Sequence, residues 1–411
     1  MFLLATVWTV VFSHNARAIQ SDEPLFSIWD ERGKEGFINA DGKTVIAPQF
    51  EKVAAFSEGL AAILVGDKWG YIDRTGKIIV TPQWKEVYAF SDGVAAVVAG
   101  VHGYSYTPLP EEGDGYEISL KSCGYIDKTG RFVIEPSLER NMSSCPAFVE
   151  GLAPVCFDVS LKLFFPEFAD AGLCGYLNKS ARWIIKPQYE NASQFSQDLA
   201  LVRLRRYYNK TSNMWLNDFA FIDKTGKKVL ELKSYLDAHS FHESLAQVSN
   251  RVGKVSFIDR TGQSRIELNA INVGDFSNGR AVAQDPITNL YGYIGQDGKW
   301  VVPPKYKQAE SFSKGLASVC SEPSRCAYIN PDGNVIADGG DGPFDRGLAL
   351  RYLYTRTIGP KPDFRNIYGY MNKQGKYVWV SPGGELFMRQ EWWRKNYIGP
   401  HMPTSFKRRV D

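Results

Sequence analysis

Short apolar runs recur along the chain between polar turn residues, and no window sustains a helical period. The clearest stretch reads Gly70-Tyr71-Ile72-Asp73-Arg74-Thr75-Gly76-Lys77-Ile78-Ile79-Val80-Thr81-Pro82-Gln83-Trp84, and after a short gap Phe90-Ser91-Asp92-Gly93-Val94-Ala95. Tyr71 to Asp73 and Lys77 to Val80 predict two short strands joined by a tight hairpin. Asp73 bonds the backbone of the turn it opens, and Gly76 takes a positive φ without a Cβ clash. The same Asp/Asn-x-x-Gly turn recurs at Asp127, Asp223, Asp259 and Asn372. Pro82 ends the second strand because it has no N–H to give a ladder, as do Pro48, Pro136, Pro187 and Pro304. An aromatic follows two residues later at Phe50, Trp84, Tyr189 and Tyr306, and Phe-Ser-x-Gly then turns the chain into a third strand.

Copies of this unit, taken at the place of Gly70, begin at Gly36, Gly70, Gly124, Gly175, Ala220, Ser256, Gly292, Ala327 and Gly369. Four intervals fall between 34 and 36 residues, and the longer ones are that period plus an insertion. A three-stranded meander of this size cannot bury its apolar face alone, so its neighbours must stack on it. The expectation is an all-β chain, a tandem array of about nine three-stranded antiparallel meanders. The repeat leaves open whether the array closes as a propeller-like ring or winds as an open β spiral. An array also overrides the usual link between length and domain count, because it grows by adding units.

The unit resembles the WG, or KWG, repeat of bacterial proteins, named for the dipeptide kept here as Trp69-Gly70. The likeness spans roughly residues 30 to 380 and rests on Gly-Tyr-Ile-Asp-x-x-Gly-Lys, the proline and Phe-Ser-x-Gly-Leu-Ala together. Most copies depart from it at the tryptophan, and those at Ala220, Ser256 and Ala327 also lose the glycine. The resemblance implies a β-repeat array with an interaction role, and it brings no catalytic residues.

The ends differ from the array. Phe2 to Phe12 is apolar but too short to span a bilayer, and Ala16-Arg17-Ala18 has the small residues a signal peptidase inspects. Residues 1–18 are therefore expected to be a signal peptide, 22–382 the array, and 383–411 a C-terminal tail or cap. The expected location is outside the cytoplasm, periplasmic or extracellular, with no membrane span in the mature chain. A net charge of +3, with basic residues spread along the chain, argues against nucleic acid as a partner. Six cysteines agree with an oxidising compartment. Cys156 and Cys320 end a third strand while Cys174 and Cys326 precede a first one. A hairpin between units then sets Cys156 opposite Cys174 and Cys320 opposite Cys326, leaving Cys123 with Cys145.

Candidate chemistry within the repeat is sparse. The repeated aspartates share one turn-forming task, and His242 of His239-Ser240-Phe241-His242 falls in a turn with no third ligand nearby. Asp338 to Gly342 lacks the later glutamate of a calcium loop. No cofactor, metal or catalytic residue is expected. The informative places are the insertions at about 99–122, 157–173, 203–218 and 351–368, all between the third strand of one unit and the first of the next. Insertions at one repeat position project from one face, often the binding face. They carry Tyr104, Tyr106 and Tyr116; Arg205, Tyr207, Tyr208 and Trp215; and Tyr352, Tyr354 and Arg356. Exposed Tyr, Trp and Arg are common interface anchors, so these residues are the candidate binding set for a protein or a cell-surface polymer. Loops that pack on one another to shield a sheet edge are the structural alternative. The alternative function is a propeller-type glycan hydrolase with carboxylates such as Glu111, Glu112 or Glu167 held about 5 to 10 Å apart in one cleft.

Overall fold

The computed structural model describes residues 23–106, 116–136, 141–142, 145–157, 172–322, 325–338, 344–345, 347–358, 363–372, 374 and 376–382. The expected signal peptide, the C-terminal tail and most of Asp338 to Gly342 lie outside them. No helix occurs among the described residues, and hence none long and apolar enough to cross a membrane. The strands form nine separate antiparallel sheets, each built from strands consecutive in the chain. The sheets are arranged as the blades of a closed nine-bladed β-propeller, equal in number to the copies of the sequence unit.

Blade 2 shows how sequence becomes sheet. It consists of Lys52–Val53, Leu60–Val65, Lys68–Asp73 and Ile78–Trp84, in that spatial order. Its second strand belongs to one sequence copy and its third to the next, so every blade straddles a repeat boundary. The short strand after the aromatic gives most blades a fourth member beyond the expected three. Phe56-Ser57-Glu58-Gly59 closes on Leu60 as a two-residue hairpin in which Glu58 and Gly59 both have positive φ, 50° and 88°. That geometry matches the right-handed twist of the strands it joins.

The glycine of the repeat has a steric cause. A Cβ on Gly70 would meet the Val80 carbonyl oxygen and lie 2.6 Å from the Pro82 nitrogen. Between Val80 and Trp84 the edge strand bulges across Gly70, with Tyr71 opposite Val80 and Trp69 opposite Trp84. Blades 1, 4 and 7 repeat this around Gly36, Gly175 and Gly292, with Pro48, Pro187 and Pro304 in the bulge. Blades 5, 6 and 8 have Ala220, Ser256 and Ala327 instead, no proline twelve residues on, and direct pairs Ala220↔Glu231, Ser256↔Glu267 and Ala327↔Asp338. Where the edge strand bulges with its proline, it crosses where a side chain would stand and glycine lies beneath it; blade 9 keeps Gly369 without bulge or proline, in a direct pair with Val380.

Blades stack through a relay of equivalent contacts. The Tyr71 hydroxyl donates to the Tyr88 carbonyl at 2.7 Å, and Tyr125, Tyr176 and Tyr293 repeat the bond to Pro146, Ser193 and Glu310. Burial pushes the Tyr71, Tyr176 and Tyr293 phenols well above their usual pKa. The tight turns are also linked in series. Gly93 N–H donates to the Glu58 carboxylate (3.0 Å), Gly151 to Asp92, Asp198 to Glu150 (3.0 Å), Ser244 to Gln197, Gly279 to Glu243 and Gly315 to Asn278.

Closure follows from the same contacts at the first and last blades. Gly76 packs on Ile46 of the preceding blade, Gly130 on Val80 and Gly226 on Ile185. Gly42 of blade 1 occupies the corresponding position against Val378 of blade 9. Phe26, Ile28 and Ile38 form one buried cluster with Leu348 and Tyr370, and the Trp29 and Trp379 rings meet at 4.9 Å. The array is a ring, not an open spiral.

Candidate functional site

The pairing of Leu60 with Asp73 places the tight turn and the Asp-x-x-Gly turn at one end of the blade, while Val65 and Lys68 lie at the other. The insertions at 99–122, 203–218 and 351–368 lengthen the hairpin at this second end and leave the ring on the face opposite the turns, while residues 158–171 of the remaining insertion lie outside the described residues. The first three are strand extensions where loops were expected. Blade 3 extends as Val94–Tyr106 with Tyr116–Asp127, blade 5 as Ala200–Asn209 with Met214–Ile222, and blade 9 as Leu348–Ile358 with Asp363–Asn372. Backbone pairing continues outward because each insertion keeps residues that suit a strand on both sides of its turn.

Tyr106 pairs with Tyr116, and Tyr104 with Ile118, near the far end of the blade 3 ribbon. Tyr352, Tyr354 and Arg356 pair with Tyr368, Ile367 and Arg365 along the blade 9 ribbon. Blades 3, 4 and 5 are consecutive, and closure puts the blade 9 ribbon on the same face, separated from blade 3 by blades 1 and 2. Glu111, Glu112 and Glu167 lie outside the described residues.

Blade 5 gives the site its atomic detail. The register Arg205↔Asp218, Arg206↔Asn217, Tyr207↔Leu216 and Tyr208↔Trp215 divides the ribbon into two faces by strand alternation. One face carries Arg205, Tyr207, Leu216 and Asp218. It is structural: Leu216 is fully buried, and the buried Asp218 accepts from Arg205 Nε at 2.6 Å and from the Ser234 N–H at 2.9 Å. The hydrogen bond Arg205 donates to Asp218 raises the Arg205 pKa further. Tyr207 lies beneath the Arg205 guanidinium and shares a 2.7 Å hydrogen bond with Ser234. The other face carries Arg206, Tyr208 and Trp215. Tyr208 is 44% and Trp215 54% exposed, with ring centroids 5.5 Å apart, and the Arg206 guanidinium lies 5.0 Å from the Trp215 ring. Tyr208 also bonds Asn213 in the turn, which fixes the ring. The structure therefore brings Tyr208 and Trp215 together as an exposed pair and assigns Arg205 and Tyr207 to holding the ribbon. Residue composition missed Arg206, which only the register places beside Trp215.

Disulfides sit at the roots of the ribbons. Cys156–Cys174 and Cys320–Cys326 join directly paired residues of blades 4 and 8, and Cys123–Cys145 ties the blade 3 ribbon to the segment leading into blade 4. All six cysteines are bonded. Elsewhere, His239 contacts Asp275 at 3.0 Å, and this hydrogen bond raises its pKa. No metal-holding group of His, Cys, Asp or Glu occurs among the described residues.

The family described as "WG containing repeat" matches the chain five times, at residues 36–69, 69–100, 124–158, 175–208 and 291–322. This chain is a WG-repeat protein. The five matches fall on the copies that keep glycine with a proline twelve residues on; those at Ala220, Ser256, Ala327 and Gly369, which lack that proline, are passed over. Among solved structures, the WG-repeat ring is similar to the eukaryotic initiation factor at 10% identity and a TM-score of 0.51, covering 88% of this chain and 96% of that one. It is also similar to the computationally designed Ika8 protein (14%, TM-score 0.40, 79% and 93% covered). BamB from Moraxella catarrhalis is a further likeness (12%, TM-score 0.38, 79% and 88% covered). At these identities the first likeness is one of fold alone, and the other two carry no argument. No curated protein matches the sequence.

Proposed function

We propose that this WG-repeat protein is a non-catalytic binding protein, exported to the periplasm or the cell exterior, that holds its partner on the ribbon-bearing face of the ring. The observation that carries the reading is the exposed Tyr208–Trp215 pair on a ribbon whose opposite face is packed and hydrogen-bonded. Exposed rings are a cost in an unliganded protein, and fixing them in place lowers the entropy lost on binding. Support for export comes from the full pairing of six cysteines, which suits an oxidising compartment. The partner class is a protein or a cell-surface polymer.

The test is capture from the host's own envelope fraction by wild-type protein and by Tyr208→Ala/Trp215→Ala. Both side chains are exposed, so the variant should fold and melt as the wild type does while losing the captured partner. Equal capture by both proteins would place the binding face elsewhere, and an unfolded variant would make the ribbon structural.

A further inference from the structure

We infer that the blade 5 ribbon takes an anionic polysaccharide, a uronate-bearing chain laid across the face that carries Arg206, Tyr208 and Trp215; this rests on the binding role proposed above.

The charge on this ribbon is unevenly committed. Of its three arginines, Arg203 faces Glu190 at 3.4 Å and Arg205 is held by Asp218 at 2.6 Å. Arg206 is exposed, and among the described residues no carboxylate pairs with it. Its guanidinium rests over the Trp215 ring, which holds the plane and leaves the N–H edge for an incoming carboxylate, the geometry an arginine uses for bidentate recognition. Arg206 and Tyr208 are two residues apart on one face, about 7 Å along the strand. A ligand must therefore offer an apolar flank and an anionic group within a short span, as a single uronic-acid residue does.

The size of the platform argues against a globular partner at this spot. Beyond the blade, the ribbon runs from Arg205 to Asn209 opposite Met214 to Asp218. Five paired positions at about 3.4 Å each and two strands about 5 Å apart give a footprint on the order of 100–200 Å². A standard protein interface covers about 800 Å² per partner. A narrow chain fits the ribbon. Between the two narrow candidates, an extended peptide is usually captured through main-chain bonds at a strand edge. These rings lie on the face of the ribbon, where backbone N–H and C=O groups do not point. A sugar ring needs none of them: its C–H flank lies on the aromatic ring and its hydroxyls stay in water.

The purified protein is tested for binding to polygalacturonate, to neutral dextran and to poly-glutamate of matched charge, by affinity electrophoresis and calorimetry. Polygalacturonate should bind, with the other two at least ten-fold weaker. Trp215→Ala should weaken binding about 30-fold, the scale of one hot-spot side chain. Arg206→Gln should weaken it about ten-fold and reduce discrimination against dextran, and both variants should keep the wild-type melting curve. Absence of polygalacturonate binding would overturn the inference. So would poly-glutamate binding equal to it, which would mean unspecific charge attraction or an acidic peptide, and so would undiminished binding by either variant. If the wild type captures its envelope partner yet ignores polygalacturonate, the ligand class is wrong and the binding role stands; if it captures nothing, the binding role itself fails.

Discussion

Replacing Gly70 by alanine adds one methyl group at the place where the bulged strand crosses. The new carbon would sit 2.6 Å from the Pro82 nitrogen and 2.9 Å from its Cα, against a comfortable carbon contact of about 3.5–4.0 Å. The strand Ile78–Trp84 would have to retreat by about 1 Å. Val80 cannot follow freely, because it is 3% exposed, packs with Tyr71, Phe90, Val97 and Ile126, and supports Gly130 of the next blade. Overpacking of this kind costs about 1–3 kcal/mol. Partial loss of Val80 burial adds a share of the roughly 1.5–3 kcal/mol that burying such a side chain provides. The lower entropy of an unfolded alanine offsets about 0.4–1 kcal/mol. The net expectation is a loss of about 2–4 kcal/mol, read from guanidinium unfolding, with hydrogen exchange fastest in blade 2. Ala220→Gly is the control, since blade 5 has no bulge there, and it should lose only about 1 kcal/mol. A Gly70→Ala protein within 0.5 kcal/mol of wild type, on the order of an ordinary surface change, would refute the steric account of the repeat glycine.

Ser244 occupies the second turn position with φ at 70°, where most of the equivalent turns have glycine, so Ser244→Gly should raise stability by about 0.5–1 kcal/mol in the same assay. Removing Cys320–Cys326, which spans 6 residues, should cost about 1 kcal/mol less than removing Cys123–Cys145, which spans 22, by the loop-length dependence of chain entropy; equal losses would contradict that account. Asp259 is held at a pKa of about 2, first by the Thr261 hydroxyl and then by backbone N–H groups and Arg265. Its folded value lies below the usual 3.8, so its contribution is complete above about pH 4 and is lost as the pH falls toward 2. Asp259→Asn keeps the turn acceptor, as Asn330 does in blade 8, but gives up the charge that holds Arg265, so it should flatten the acid limb of a stability–pH curve, lowering stability at pH 7 while matching the wild type near pH 2.

The architecture was largely legible because the same local signals recur from unit to unit along the chain. Asp-x-x-Gly, the proline and Phe-Ser-x-Gly each have one mechanical meaning, and the phase between copies gave the pairing of Leu60–Val65 with Lys68–Asp73. Closure was not legible. It depends on whether Gly42 meets Val378, a contact between residues more than 300 positions apart that no local pattern encodes. The site was legible only in composition. Tyr207 and Tyr208 are neighbours in sequence with opposite surroundings, one bonded to Ser234 and the other facing solvent, and only the cross-strand register separates them. For the same reason Arg206 could not be told from Arg205 before its partner across the ribbon was known.

Among the described residues no blade borrows a strand from the far end of the chain: blade 1 is made of residues 25–50 and blade 9 of residues 344–380. The seam between them is side-chain packing of the kind found at every other blade boundary, without a shared ladder. The order of the blades in the gene is therefore mechanically arbitrary. Joining residue 382 to residue 23 by a short linker and opening the chain at Lys85, between blades 2 and 3, should yield a circularly permuted ring with the same nine sheets. Chain ends that meet at a surface seam make such rewiring tolerable.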